Sequence, residues 1–395
     1  MQSKSTKKER TRDLHRQLTT DFRNRILEGQ LSAGARLPAD NDLAAEYQLS
    51  RDTVRQALAL LADEGLIERV QGRGTFVTQR PASSTANSGS ATQASPPVVQ
   101  EQKHIGLLLS SGQRKMGDIL QDIMVGVEQA ARLHGYSISL RYTEGGKEQQ
   151  AQDIARMSAS GVAGLIVCPI DNVADTDVIR KLQSDQFPLV FVDRYLPGLT
   201  VDFVGADNKG GGYRATEHLV ILGHRRIGFL FFEEEDLETT SSVKERWQGY
   251  TEALHKYGVP YDPSLLIPDV NPGEGHVSPS IYEFLQRPDR PSAIFAVNDI
   301  VALDVMQAAH ALNLRIPQDL ALVGFDNERF ASRLSPPLTT MAQPFFDIGL
   351  RAGTLLLSRI EGLSTISRHI ELPVNLIIRE SCGAQLHVER TREKQ

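Results

Sequence analysis

Two groups of residues in this sequence have types and spacings suited to chemistry, and they suit different partners. The first is Arg51, Thr53 and Arg55 within SRDTVRQAL, with Ser50 just ahead of them. Ser50 can cap a helix that starts at Arg51, which places the three side chains in its first turns. An arginine there can pair bidentately with guanine O6 and N7, and a threonine can meet phosphate or the thymine methyl. Downstream, Gly72-Arg73-Gly74 joins two short apolar runs. Glycines let a backbone approach a narrow groove, and Arg73 brings charge to it. Each arginine can equally be a solvated helix residue, and the glycines a tight hairpin turn.

The second group is Asp193, Arg194, Arg246, Trp247, Asn298 and Asp326. Carboxylates, an amide and guanidinium groups around an apolar or aromatic floor are what a pocket needs to orient the hydroxyls of a sugar. Asn298 and Asp326 read either as ligand contacts or as strand-end caps, and Asp193 is open in the same way. Trp247, the single Trp, can floor the pocket or fill the core. Gln113, Arg114 and Lys115 can meet hydroxyls or a phosphate, or form a solvated loop.

Other chemistry finds little support. The sequence has no HExxH and no GxSxG, and His218 and His224 are six apart, the wrong spacing for paired metal ligands on a helix. Cys168 and Cys382 lie outside any CxxC pattern, so neither a disulfide framework nor a zinc site is expected. Lys209-Gly210-Gly211-Gly212 lacks the phosphate-loop spacing, and the run Glu233, Glu234, Glu235, Asp236 reads as a solvated loop. No cofactor and no catalysis are expected.

The elements that must position these groups fall into three regions. Leu14 to Glu28 carries one apolar helical face; Asp40 can cap a short helix with Leu43, Ala44 and Tyr47; the helix from Arg51 to Glu64 turns Val54, Leu58 and Leu61 inward. LIERV and GTFVT then make a hairpin. Two helices joined by a tight turn and followed by a hairpin form a winged helix-turn-helix over residues 1–79. Residues 80–103, RPASSTANSGSATQASPPVVQEQK, cannot bury enough apolar surface to order themselves, so a flexible linker spanning about 25–30 Å is expected. From 104 to 395, apolar strand-like runs at His104, Tyr136, Gly164, Pro188, Arg226, Ser292 and Asp319 alternate with helical patterns, which predicts an α/β body of two parallel-sheet lobes. Ligands of such sheets sit beyond the strands' carboxyl ends, where Asp193, Asn298, Asp299 and Asp326 fall.

Composition supports two partners. Residues 1–80 carry 14 Lys and Arg against 11 Asp and Glu, and the remainder 29 against 38, so a basic head precedes an acidic body. No apolar run is long enough to span a bilayer and no apolar leader follows the charged start, so a cytoplasmic setting without membrane contact is expected.

At this point the residues become specific. LPADNDLA, SRDTVRQAL and EGLIERVQGRGTFV resemble the winged helix-turn-helix of GntR-type bacterial regulators, with Asp40 where that pattern usually has Glu. The resemblance implies that Arg51, Thr53 and Arg55 read the major groove, that Gly72 and its neighbours enter the minor groove, and that Arg36 meets backbone. VGADNKGGGYRATEHLVILGHRRIGFL, SAIFAVNDIVALDVMQAAHAL and IPQDLALVGFDN are similar to the effector domain of LacI/GalR-type repressors, a two-lobed periplasmic-binding-protein-like α/β fold. That likeness implies ligand contacts at Arg246, Asn298 and Asp326, then Asp193 and Arg194. Two departures stand out: the linker replaces the usual hinge helix, and Gly117-Asp118-Ile119-Leu120 replaces an Asn-Pro-Phe-Phe segment. A GntR-type head on such a body resembles the arabinose repressors of Gram-positive bacteria. The expected function is a homodimeric repressor of carbohydrate-utilisation genes, released from operator DNA by a sugar. The alternatives are a corepressor-dependent regulator responding to a sugar phosphate or nucleobase, and a sugar-modifying enzyme with an autoregulatory head.

Overall fold

The computed structural model describes residues 103–110, 117–170, 176–232, 237, 240–269, 277–363 and 366–385, and, nearer the N-terminus, 22, 25, 31, 35–39, 42–44, 47, 50, 51, 54, 58, 61, 66–70 and 74–78. The chain divides into two compact units, Met1–Pro96 and Pro97–Gln395. Apart from Lys103, the expected linker lies outside the described residues.

In the first unit, Phe22 and Arg25, Asp42 to Ala44, and Arg51, Val54, Leu58 and Leu61 are helical. Phe22, Leu43, Val54, Leu58 and Leu61 are buried together with Leu37, Ile67 and Val77, as the helical spacing predicts. Strands β1 (Ile67–Val70) and β2 (Gly74–Val77) pair antiparallel, with Ile67 opposite Val77 and Val70 opposite Gly74. Ala35 to Leu37 runs along the other edge of β2: the Leu37 amide donates to the Thr75 carbonyl at 2.9 Å and the Val77 amide to the Ala35 carbonyl at 2.9 Å.

The second unit holds two six-stranded sheets. In the first lobe the strands are β3 (His104–Ser110), β4 (Ser137–Thr143), β5 (Leu165–Val167), β6 (Leu189–Val192), β7 (Asp202–Ala206) and β13 (His369–Leu372), in the order β13-β7-β6-β5-β3-β4 and all parallel. Helices α1 (Gly117–Leu133), α2 (Lys147–Ser158), α3 (Thr176–Ser184) and α8 (Phe345–Ile360) belong to it. In the second lobe β8 (Ile227–Phe232), β9 (Leu266–Asp269), β10 (Ala293–Ala296), β11 (Ala321–Asp326), β12 (Thr339–Ala342) and β14 (Asn375–Ile377) take the order β14-β12-β11-β10-β8-β9, with only β14 antiparallel. Helices α4 (Asn208–Ile221), α5 (Ser241–Lys256), α6 (Pro279–Gln286) and α7 (Asp299–Ala311) accompany these strands.

Sequence explains this layering. The runs that form β6, β8, β10 and β11 are apolar except for the terminal Asp326 of β11 and buried at every residue, as strands covered by helices on both sides must be. Pro268 in β9 gives no ladder donor, and β9 accordingly lies at a sheet edge. Six of the seven expected strand runs, all but the one at His104, begin one or two residues before the strands they form. The elements expected from sequence omit β7, β9, β12, β13 and β14 and helices α3, α6 and α8. Most of these strands are short; α8 does carry a helical period, with Asp347, Arg351 and Thr354 exposed along one stripe and Ile348, Ala352, Leu355 and Leu356 buried.

The chain crosses between lobes three times, between β7 and α4, between β12 and α8, and between β13 and β14. The first and third crossings are tied where the Asp207 amide donates to the Leu372 carbonyl at 2.8 Å. These short connections join the lobes, and buried residues of both sheets, among them Val190 and Phe229, belong to one continuous apolar cluster.

Candidate functional site

The strand ends on the two sides of the crossings form the candidate site. On the first lobe, Asp193 and Arg194 follow β6. A cavity of about 10 Å³ there is lined by Ser110, Ile119, Cys168, Pro169, Asp193 and Arg194 among others, room for about one water. Arg194 donates to the Ile170 carbonyl at 2.8 Å, and its Nε lies 3.7 Å from Asp193 Oδ2. Burial, with the Asp193 charge adding to it, pushes the Cys168 thiol up to about 12, so it stays a neutral, poorly nucleophilic wall of the cavity.

On the second lobe, helix α5 delivers Arg246 into a buried position. Its Nε donates to Asn208 Oδ1 at 2.9 Å and its Nη1 to the Val297 carbonyl at 2.7 Å. Nη2 lies 3.5 Å from Asp326 Oδ1, and the guanidinium covers the Phe325 ring at 3.8 Å. Phe325 ends an aromatic row through Phe295 and Phe229, so the core itself props the charged plane. Asp326 also accepts from Gln343 Nε2 at 2.6 Å. Burial pushes the Asp326 carboxyl well above the ordinary carboxylate range; Arg246 opposes that rise, while Asp299 and, from the other lobe, Asp193 add to it. Asp193 (φ 65) and Asp326 (φ 107) both hold positive φ, a strained conformation for a residue with a side chain.

Asn298 caps α7: its side-chain oxygen accepts from the Val301 amide at 2.9 Å. Asp299, the next residue, is fully buried, accepting from Thr340 at 2.6 Å and from the Glu328 amide at 2.8 Å. Trp247 packs partly buried against the apolar core, and its indole nitrogen is enclosed without a hydrogen-bond partner among the described residues. Sequence reasoning missed Gln343, the residue after β12; the signal available was its place in MAQPFF, directly at a crossing between lobes. Gln113, Arg114, Lys115 and the run Glu233 to Asp236 lie outside the described residues, and Gly117 and Asp118 open α1. The triple glycine 210–212 is structural: a Cβ on Gly212 would meet the Arg246 carbonyl at 2.2 Å, so the pair α4 and α5 crosses where only glycine fits.

In the first unit, Arg36 and Arg51 are exposed, and the Val54 amide donates to the Ser50 carbonyl at 3.0 Å, which puts Ser50 at the N-cap position. Thr53, Arg55, Gly72 and Arg73 lie outside the described residues. Among the described residues no helix is long and apolar enough to cross a membrane.

Comparison with known proteins agrees with this geometry. Residues 14–77 match the family of bacterial regulatory proteins called the gntR family, and 216–382 match the periplasmic binding protein-like domain. An arabinose metabolism transcriptional repressor of Geobacillus stearothermophilus is 31% identical over 362 residues, covering 90% of this chain and 93% of that one. The ribose operon repressor of Haemophilus influenzae is 31% identical over 283 residues, covering 72% and 82%. The crystal structure of a LacI family transcriptional regulator from Enterococcus faecium with bound ribose is 26% identical, with a TM-score of 0.60 over 71% of this chain and 98% of that one. Fold, cleft and matches together define a bacterial transcription regulator with a helix-turn-helix head and a two-lobed, periplasmic-binding-protein-like body. The chain belongs to the family of the arabinose metabolism transcriptional repressors.

Proposed function

We propose that the chain is a cytoplasmic, homodimeric repressor of carbohydrate-utilisation genes, released from its operator by a small neutral sugar bound between the lobes. The observation that carries this reading is the commitment of Arg246. Its three nitrogens are occupied by Asn208, Val297 and Asp326, and Arg194 is engaged by Ile170 and Asp193. With the donors of both arginines already engaged by the protein, an anionic ligand would find its cationic partners taken, whereas sugar hydroxyls can donate to Asp326 and Asp193. That favours a neutral sugar over a sugar phosphate as effector, and binding over turnover. The relatives named for arabinose and ribose support the same class of ligand. A single head reads one half-site, so specific binding at physiological salt calls for two copies on a near-palindromic operator.

The test is thermal shift of the purified chain against pentoses, hexoses, disaccharides, sugar phosphates and nucleobases. A ligand of the folded state raises Tm by mass action, about 2.7 kcal/mol of stability at 100 times its Kd. A neutral sugar is expected to be the strong hit, and its addition to release operator DNA in a mobility or anisotropy titration. A response confined to phosphates or nucleobases, or tightening of the DNA complex, would replace this reading with the corepressor one.

A further inference from the structure

Two hydrogen bonds join the lobes beside the cleft, and one residue makes both. The Tyr195 amide donates to Ser241 Oγ at 3.1 Å, and the Tyr195 hydroxyl donates to Glu245 Oε1 at 2.7 Å. Tyr195 belongs to the first lobe, following β6; Ser241 and Glu245 are one turn apart on α5 of the second. The ring is fixed in its own lobe by Phe203 on β7, 5.1 Å away, and by His369 on β13, 5.0 Å away. Only the hydroxyl and the amide reach across.

We propose that Tyr195 is the latch of the body: it holds the two lobes closed and thereby positions the ligand-contacting residues on both sides. The sequence neighbours on each side explain the coupling. Arg194 and Asp193, which wall the first-lobe cavity, immediately precede Tyr195, and Arg246, which pairs with Asp326, immediately follows Glu245. A molecule bridging the Asp193–Arg194 and Arg246–Asp326 pairs therefore brings the hydroxyl onto its acceptor, and parting the lobes breaks both bonds together with the exposed Arg329–Asp122 pair, 3.6 Å apart, that also spans the lobes. Burial raises the Glu245 carboxyl and the like charge of Glu371, in the first lobe, adds to that rise, while the Tyr195 hydroxyl, His369 of the first lobe and Asn208 oppose it. The Tyr195 hydroxyl thus adds to the Tyr195–Ser241 bond and the Arg329–Asp122 pair against that repulsion, and its removal should shift the balance toward the open state.

The consequence for the effector rests on the reading that it binds between the lobes, but closure itself can be measured without any ligand. Nitroxides on Gln121→Cys, beside Asp122 on α1, and Ser332→Cys, near Arg329, span the two lobes; both positions are exposed, and the native Cys168 and Cys382 are buried. The distance between labels is read by electron paramagnetic resonance on the full chain, diluted with unlabelled protein so that only intrachain pairs count. Tyr195→Phe keeps the ring packing and is expected to lower the closed-to-open ratio about tenfold, the loss of one hydrogen bond to a charged acceptor. Glu245→Ala should do the same, while Glu245→Gln, whose amide oxygen still accepts, should restore closure. Identical distances in the parent, Tyr195→Phe and Glu245→Ala proteins would overturn the latch, as would a parent already as open as the variants. Because no sugar is present, a blank thermal-shift panel would sink the effector reading and leave this result standing.

Discussion

Arg246 and Asp326 meet at 3.5 Å in the interior of the second lobe, one from a helix and the other from a strand end held at positive φ. Neither side chain is placed by the other alone. Asn208 and the Val297 carbonyl fix the guanidinium, Phe325 supports its face, and Gln343 holds the carboxylate. A buried pair of this sort costs desolvation that its own attraction barely repays, which is why it is a poor device for stability and a good one for presenting oriented polar groups.

Removing one partner separates these roles. Arg246→Met leaves Asp326 buried without its cation and is expected to destabilise the body by about 3–5 kcal/mol. Asp326→Asn leaves Arg246 its contacts to Asn208 and Val297 and should cost less. Both should abolish the thermal shift produced by the strongest sugar. Urea unfolding midpoints with and without that sugar check the two effects; a variant that keeps the full shift removes that residue from the ligand contacts.

The crossing of α4 and α5 makes a second prediction. A Cβ at Gly249 would lie 2.1 Å from the Lys209 carbonyl, and one at Gly212 would lie 2.2 Å from that of Arg246. Both neighbours are backbone, so the helices must separate. Gly212→Ala and Gly249→Ala should each cost about 1–3 kcal/mol. Since Gly212 touches the backbone of Arg246 itself, its substitution should also weaken sugar binding, whereas an equally destabilising change remote from α5 should not. Comparing sugar affinity at matched stability decides this.

Asp299 gives a pH dependence. Burial pushes its carboxyl up to about 7, with the Thr340 and Glu328 hydrogen bonds working in the opposite direction. The folded chain therefore retains a proton that the unfolded chain has lost, so the stability linked to this group falls as pH rises from about 4 to about 7 and stays lost above that. Half-buried His218, whose imidazole is pulled down by that burial, acts in the opposite sense at its own titration, and it is common to both proteins when Asp299→Asn is compared with the parent. The difference in Tm, variant minus parent, should rise by about 4 °C or more between pH 5 and pH 8. A difference that is flat with pH means that Asp299 does not titrate in this window.

Much of this was legible in the chain. Uninterrupted apolar runs such as GFLFF and LVGF announce buried parallel strands, and residues just beyond them, Asp193, Asn298 and Asp326, fall at the strand ends where a ligand of two facing sheets must sit. Asn298 shows the limit: its type suits a ligand contact and a helix cap equally, and only the 2.9 Å bond to the Val301 amide shows that the cap claims its oxygen. Gln343 and Tyr195 were not legible for a different reason. Gln343 reaches from the end of β12 to the neighbouring strand β11, 17 residues away, and Tyr195 reaches across lobes to a partner 50 residues away; local periodicity carries no record of such pairings. Trp247 was open between floor and core, and its packing against the apolar core favours the second.

On the head, Arg51 is exposed at the start of its helix. Arg51→Ala is expected to weaken operator binding by about 1–3 kcal/mol and relax specificity at one base pair if it reads guanine. If it meets phosphate instead, affinity should fall evenly across sequences and the salt slope should drop by about one. Either way the sugar-induced thermal shift of the body should be unchanged. A variant that binds operator normally removes Arg51 from the interface.

The last prediction concerns how the body reaches the DNA. If sugar releases the operator, linkage requires the operator to weaken sugar binding by the same factor, about 5–150-fold for a coupling of about 1–3 kcal/mol. A Ser/Ala/Thr/Gly/Pro-rich tether of about 24 residues would transmit little strain, and would act mainly by setting the effective concentration of the second head once the first is bound. Coupling would then arise from the dimer contact, which lobe closure must alter, and it should appear on a full palindromic operator and vanish on an isolated half-site. Sugar affinity measured by calorimetry with no DNA, with half-site DNA and with the full operator tests this directly. Equal affinity in all three excludes release by this ligand; weakening on the half-site as well means that strain passes through the tether of a single chain; tightening on the full operator makes the ligand a corepressor.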